Sequence, residues 1–207
     1  MASRTSQKNP STSGGKISVV NLPTYWYVAC TSRDLGGKPL ARTILDQPLV
    51  LFRGADGRPG ALLDQCPHRN VPLSKGKVQG DFLECSYHGW TFDTDGQCTR
   101  IPALCSEPRS QSRHATAFPV IEQDGFVWVY PSLESEPTHP PFAFPYMSDP
   151  RYSQVHTRLT VQATLHAAIE NILDVPHTGF LHGGLFRNDA QKKNEITVEV
   201  TRDQDRV

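Results

Sequence analysis

Cys66-Pro67-His68-Arg69 and Cys85-Ser86-Tyr87-His88-Gly89-Trp90 are the stretches from which this chain can be read. They form a C-x-H pair and a C-x-x-H pair, with sixteen residues between His68 and Cys85. Thiolate and imidazole donors select zinc or iron–sulfur clusters. Zinc suits a tetrahedral Cys2His2 set, but its ligands usually come grouped as C-x2–4-C and H-x3–5-H. Here each segment offers one Cys and one His. That suits a [2Fe–2S] cluster in which two cysteines hold one iron and two histidines the other, a set that raises the potential over an all-cysteine cluster. Pro67 and Gly89 are turn formers, so both pairs are predicted on short loops whose backbone amides can reach the cluster sulfurs.

C-P-H-R followed by C-S-Y-H-G-W resembles the Rieske domain of the ring-hydroxylating oxygenases, the Rieske non-haem iron oxygenases. The resemblance implies Cys66, His68, Cys85 and His88 as ligands of a Rieske [2Fe–2S] cluster. High-potential respiratory Rieske proteins carry an extra cysteine in each loop. Neither loop has one here, which favours the oxygenase or ferredoxin type.

A chain of 207 residues holds one large domain or two small ones, and 37% hydrophobic residues can build a core. Its 17 Pro and 15 Gly point to turns and short strands rather than long helices. Zero formal net charge gives no global field for nucleic acid or an anionic membrane. No apolar run reaches membrane-spanning length and the N-terminus lacks an apolar signal core, so a cytoplasmic location is expected. The cysteine count of five is odd. Beside the two cluster residues, Cys30, Cys98 and Cys105 are expected as buried thiols rather than bridges.

In order, residues 1–16 read as a disordered tail, rich in Ser, Thr, Gly and Lys. Residues 17–131 read as the Rieske domain, mainly β with antiparallel sheets. Strands are predicted over 24–29, 48–53, 61–64, 82–84, 90–92, 118–122 and 126–130, with hairpin turns at Asp56-Gly57 and Asp124-Gly125. Trp90 and Phe92 are expected as core beneath the cluster. Arg69, Lys75 and Lys77 are read as a solvated charged face, or as a docking patch for an acidic electron donor. A Pro-rich linker follows over 132–151. Residues 152–207 are read as the start of a second domain, with strands over 155–161 and 195–200 around a helix over 163–173. By resemblance this is the opening of an α+β, helix-grip catalytic domain.

That helix runs into Asn171-Ile172-Leu173-Asp174-Val175-Pro176-His177-Thr178-Gly179-Phe180-Leu181-His182. Pro176 should end or kink the helix just before His177. Two imidazoles plus a carboxylate make a facial triad for non-haem Fe(II). Taken alone, H-x4-H is weak evidence, since such a pair is more often a surface or core pair. Behind a Rieske motif, N-x-x-D-x-x-H-x4-H is similar to the mononuclear iron site of the same family. The resemblance implies His177 and His182 as iron ligands. It makes Asp174 the carboxylate that bridges toward a neighbouring subunit's cluster histidine, and Asn171 a residue that orients its neighbours. The bland reading of Asp174 is a helix cap. The family's third iron ligand comes from far downstream; Asp189, Glu195, Glu199, Asp203 and Asp205 do not match its place. The chain therefore reads as the first half of a terminal oxygenase subunit.

The intact enzyme, by resemblance, takes electrons from an NAD(P)H-dependent reductase, sometimes through a ferredoxin, and uses O2 to hydroxylate or dealkylate an aromatic or other hydrophobic substrate. A homotrimer is expected when full length. The rival reading is a Rieske-ferredoxin-like electron-transfer protein with an incomplete catalytic domain. A third, a zinc-stabilised binding module, would be colourless.

Overall fold

A computed structural model describes residues 22–102, 108 and 110–182 of the chain. The expected tail, the strand over 195–200, Cys105 and the five acidic residues after His182 lie outside them. Val20–Gln154 form one compact unit, and residues from Val155 onward belong to another.

Among the described residues the first unit is built from eleven short strands in three antiparallel sheets. β1 (Tyr27–Thr31), β11 (Phe126–Val129) and β10 (Val120–Gln123) form one, in the order β1-β11-β10. The second runs β2 (Leu40–Ile44), β3 (Gln47–Arg53), β4 (Pro59–Leu63), β9 (Ala117–Phe118). The third runs β5 (Lys77–Gln79), β6 (Phe82–Glu84), β7 (Thr91–Phe92), β8 (Cys98–Arg100). β4 and β9 pair through Ala61↔Phe118 and Leu62↔Ala117, so the third sheet and both Cys-His segments are one excursion between neighbouring strands.

β3 holds two cores together. Leu49 and Leu51 pack with Cys30, Ile44, Val127 and Val129, whereas Val50 and Phe52 pack with Leu73, Leu83, Phe92 and Cys98. All four β3 residues are fully buried. That is why this strand reads as a continuous apolar run rather than an alternating one. Cys30 and Cys98 are buried and outside any disulfide, as expected.

Both Asp-Gly turns are present, with Gly57 at φ 84°, and Asp124 and Gly125 at 56° and 77°. β2, β5 and β8 were not foreseen, and the strand expected over 118–122 is divided between β9 and β10. The β2–β3 hairpin turns on Leu45 and Asp46, at φ 51° and 62°. A turn of this kind favours Asn-Gly, so a Leu-Asp pair gives no signal. Residues in the proline-rich stretch lie over the outer face of the first sheet. Trp26 Nε1 donates to the His139 carbonyl at 2.7 Å, and Phe144 packs on Phe126 and Trp128.

In the second unit, α1 (Leu165–Leu173) forms where helical periodicity placed it, with the Thr164 hydroxyl accepting from Ala167 N–H. Pro176 separates it from α2 (His177–Leu181). The strand expected over 155–161 is absent. Val155, Leu159 and Val161 are exposed in extended backbone with no ladder. Alternation alone does not make a strand. It needs a partner edge, and among the described residues none pairs with it.

Arg53 ties the second sheet to the first. Its guanidinium donates to both carboxylate oxygens of Glu122, at 2.7 and 2.9 Å, and to the Leu35 and Gly57 carbonyls. The Arg53 hydrogen bonds hold the Glu122 carboxyl below the usual carboxylate range. A depressed folded pKa stabilises above the unfolded value of about 4.3 and is lost as pH falls through the folded one. Glu122→Gln should therefore lower stability by about 1 kcal/mol at pH 7, a modest figure for a partly exposed pair. The gap to wild type should close in acid, where Glu122 is itself protonated. Denaturant midpoints followed from pH 7 down through the depressed pKa of Glu122 check it.

Candidate metal centre

The two Cys-His segments are loops with one backbone design. The Cys66 N–H donates to the Val71 carbonyl at 2.9 Å, and the Cys66 carbonyl accepts from Asn70 N–H at 2.8 Å. The Cys85 N–H donates to the Trp90 carbonyl at 2.8 Å, and the Cys85 carbonyl accepts from Gly89 N–H at 3.1 Å. Both loops turn on a left-handed residue four past the cysteine, Asn70 at φ 56° and Gly89 at 69°. These are the residue types that tolerate that conformation best.

The first loop is held to its own outgoing chain by Asp64, whose carboxylate accepts from the Ser74 N–H and hydroxyl, both at 2.6 Å. Leu73 in the following 3-10 turn is fully buried and anchors the loop in the same core as Leu83 and Phe92. Gly76 then passes β6 so closely that an added Cβ would stand 2.0 Å from the Glu84 carbonyl oxygen. Only glycine allows the first loop to lie against the strand that feeds Cys85.

Both cysteines are 2% exposed, whereas His68 is half-buried and His88 exposed. The thiol ends therefore point into the core and the imidazole ends toward solvent. The two imidazoles face one another with centroids 4.7 Å apart. Burial pushes the Cys66 thiol up to about 11, and the neighbouring Cys85 adds to the rise; the His68 and Arg69 N–H groups bond the sulfur and act the other way. Burial, with His88 and Arg69 nearby, lowers the pKa of His68 and keeps it neutral. A neutral imidazole and an amide-bonded sulfur are what a metal takes up.

Among the described residues no three His, Cys, Asp or Glu side chains converge on one point. Two cysteines and two histidines set in pairs match two irons with two protein donors each, so the donor set fits a [2Fe–2S] cluster. Of the cations expected nearby, Lys77 pairs across the strands with Glu84 at 3.3 Å, and Arg69 and Lys75 are exposed. Phe92 is core as expected, but Trp90 is only partly buried.

Comparison with known proteins settles the class. Residues 25–122 match the Rieske [2Fe–2S] domain. The chain is 38% identical over 178 residues to the oxygenase component of dicamba O-demethylase from Stenotrophomonas maltophilia, covering 84% of this chain and 52% of that one. The chain carries a Rieske [2Fe–2S] domain. It is also 31% identical over 186 residues to the vanillate O-demethylase oxygenase subunit of a Pseudomonas strain, covering 86% and 50%. A crystal structure of dicamba monooxygenase with non-heme iron and dicamba superposes with a TM-score of 0.57 at 42% identity, over 64% of this chain and 41% of that one. The chain thus spans about half the length of the curated relatives it matches.

The second group of residues is gathered within α1, α2 and their joint. The imidazoles of His177 and His182 lie edge to face with centroids 5.5 Å apart. His177 Nδ1 bonds the Asp174 carbonyl, which leaves Nε2 as the outward nitrogen, 3.4 Å from the Asn171 amide. Asp174 ends α1, its N–H bonding the Glu170 carbonyl at 3.0 Å, and its carboxylate accepts from His177 N–H at 3.4 Å. It is the C-cap of α1 and also accepts from the first N–H of α2, and its side chain is 57% exposed. This geometry presents two imidazoles together; no third donor joins them among the described residues.

Gly76→Ala should force the first loop away from β6, costing on the order of 2–3 kcal/mol and most of the bound iron and sulfide. Gly36→Ala, with open space around it, should retain both. Iron and acid-labile sulfide per chain measure the difference.

Proposed function

We propose that this chain forms the Rieske unit and the first iron-binding segment of a terminal oxygenase component, one that oxidises a hydrophobic aromatic substrate with O2 and electrons derived from NAD(P)H. The observation that carries this is the pairing of two buried cysteines with two outward imidazoles 4.7 Å apart, on loops of one design. Oxidative demethylation is the preferred reaction, since two relatives with long matches are named as O-demethylases.

In this reading Cys66 and Cys85 hold the inner iron of the cluster, and His68 and His88 the outer one. When bound, the cluster supplies single electrons and a mononuclear iron supplies the O2-binding centre. The chain's own residues govern the path. The core around Leu73, Leu83 and Phe92 would keep water from the sulfur side of the cluster and leave the histidine side open to a redox partner. His177 and His182 offer two of three protein ligands to the second iron. The Asp174 carbonyl orients His177 by holding Nδ1. The exposed Asp174 carboxylate is free of the core and suited to bridge toward His88 of another subunit, in a homotrimer. Asn171 stands beside His177 Nε2, the nitrogen left for the iron, as a residue that orients its neighbours rather than a ligand. An NAD(P)H-dependent reductase, with or without a ferredoxin, is the proposed electron source. The cytoplasm is the proposed location; no helix among the described residues is long and apolar enough to cross a membrane.

The protein carrying this chain, purified without oxygen and reduced with dithionite, should contain two acid-labile sulfides per chain and give a Rieske EPR signal. Cys66→Ser or His68→Ala should abolish the signal. Zinc without sulfide would overturn the cluster assignment.

With NADH, a reductase and a panel of methoxylated benzoates, turnover should release formaldehyde. His177→Ala should cut that release by more than about 100-fold while the Rieske signal stays. Unchanged turnover in the variant would remove His177 from the site. A Rieske signal without any third iron or turnover would leave an electron carrier.

A further inference from the structure

Four rings stand in a row at the histidine end of the site. The Trp90 indole lies parallel to His68, with centroids 4.7 Å apart and an angle of 3° between the planes. His68 meets His88 at 4.7 Å and 58°. The Tyr87 ring closes the row, 4.0 Å from His88 at 46°. The inner end of the row packs against the core that holds Leu73 and Phe92, and the outer end, Tyr87, is 60% exposed. Trp90 is anchored twice: its carbonyl accepts from the Cys85 N–H, and its side chain crosses to the histidine of the other loop.

We propose that Trp90 and Tyr87 are positioning residues for the histidine-held iron. They clamp the planes of His68 and His88 from opposite sides, and Trp90 shields one face of His68 from water. This rests on the ligand assignment proposed above. An imidazole bound through one nitrogen can turn about its metal–nitrogen axis, and it is normally fixed by a partner in the outer shell. Among the described residues no hydrogen bond from the ring of His68 or His88 takes that part, whereas flat stacking restrains a ring by shape alone. Water exclusion also bears on the potential, because one-electron reduction adds negative charge that water stabilises. Opening the Trp90 side should therefore favour the reduced state.

The test uses the cluster-loaded protein as wild type, Trp90→Phe, Trp90→Leu and Tyr87→Leu, reduced with dithionite. Iron and sulfide content, EPR g-values and linewidths, and the midpoint potential are read from each. Trp90→Leu should broaden the signal and shift the potential upward, and Trp90→Phe should restore wild-type behaviour. Tyr87→Leu, at an exposed position outside the core, should broaden the signal with a smaller shift. If Trp90→Leu and Tyr87→Leu keep the cluster with wild-type g-values, linewidths and potential, the inference is overturned. If Trp90→Leu loses the cluster, Tyr87→Leu decides, and an unchanged spectrum there overturns it. Absence of a Rieske signal in the wild type would overturn the ligand assignment itself, a result distinct from unchanged variants.

Discussion

Two loops must deliver their sulfurs to one buried place and their imidazoles to one exposed place, and the rest of the Rieske unit is arranged to allow it. Each loop alone is a short turn with a left-handed residue at its end, Asn70 or Gly89. Neither has a core of its own. They meet because Leu73 after the first loop and Leu83 before the second are fully buried in one cluster with Phe52 and Phe92. The approach is close enough that a single methyl at Gly76 would collide with the Glu84 carbonyl. Backbone packing, set by apolar burial, therefore precedes and positions the metal chemistry.

The same burial gives the site its polarity. Thiols kept dry are poor acids, as the raised Cys66 shows, and the amides of His68 and Arg69 partly offset that by bonding the sulfur. The histidines stand at the rim, lined by aromatic rings rather than by hydrogen-bonding side chains. A cluster held here would have a closed sulfur side and an open imidazole side. The segment from Asn171 to His182 uses a different device. A proline-broken helix gathers its candidate residues around a joint, and Asp174 ends the first half and accepts from the first N–H of the second while its carboxylate stays exposed.

Some of this was legible in the chain because it depends on short-range chemistry. The C-x-H and C-x-x-H pairs, the Asp-Gly turns, the break at Pro176 and the apolar run of β3 are each fixed by neighbours in sequence. What escaped reading depended on distant partners. The β2–β3 hairpin closes on Leu45-Asp46 because the strands on either side hold it, not because the pair favours the turn. β5 and β8 are a few residues long and exist through pairing with β6 and β7. The reverse error fell at Val155 to Val161, where alternation suggested a strand and no described edge receives it.

By itself, then, the sequence determined the candidate donor set, the two Asp-Gly turns and the identity of the residues that gather near His177, since these follow from residue type and spacing along one stretch of chain. Only the tertiary structure decided that the sulfurs are inside and the imidazoles outside, that Gly76 cannot be replaced, and that Trp90 lies flat on the histidine of the other loop. Those facts come from contacts between segments far apart in the chain. Burial and close approach are properties of the packed whole, and no local pattern encodes which distant surface a side chain will meet.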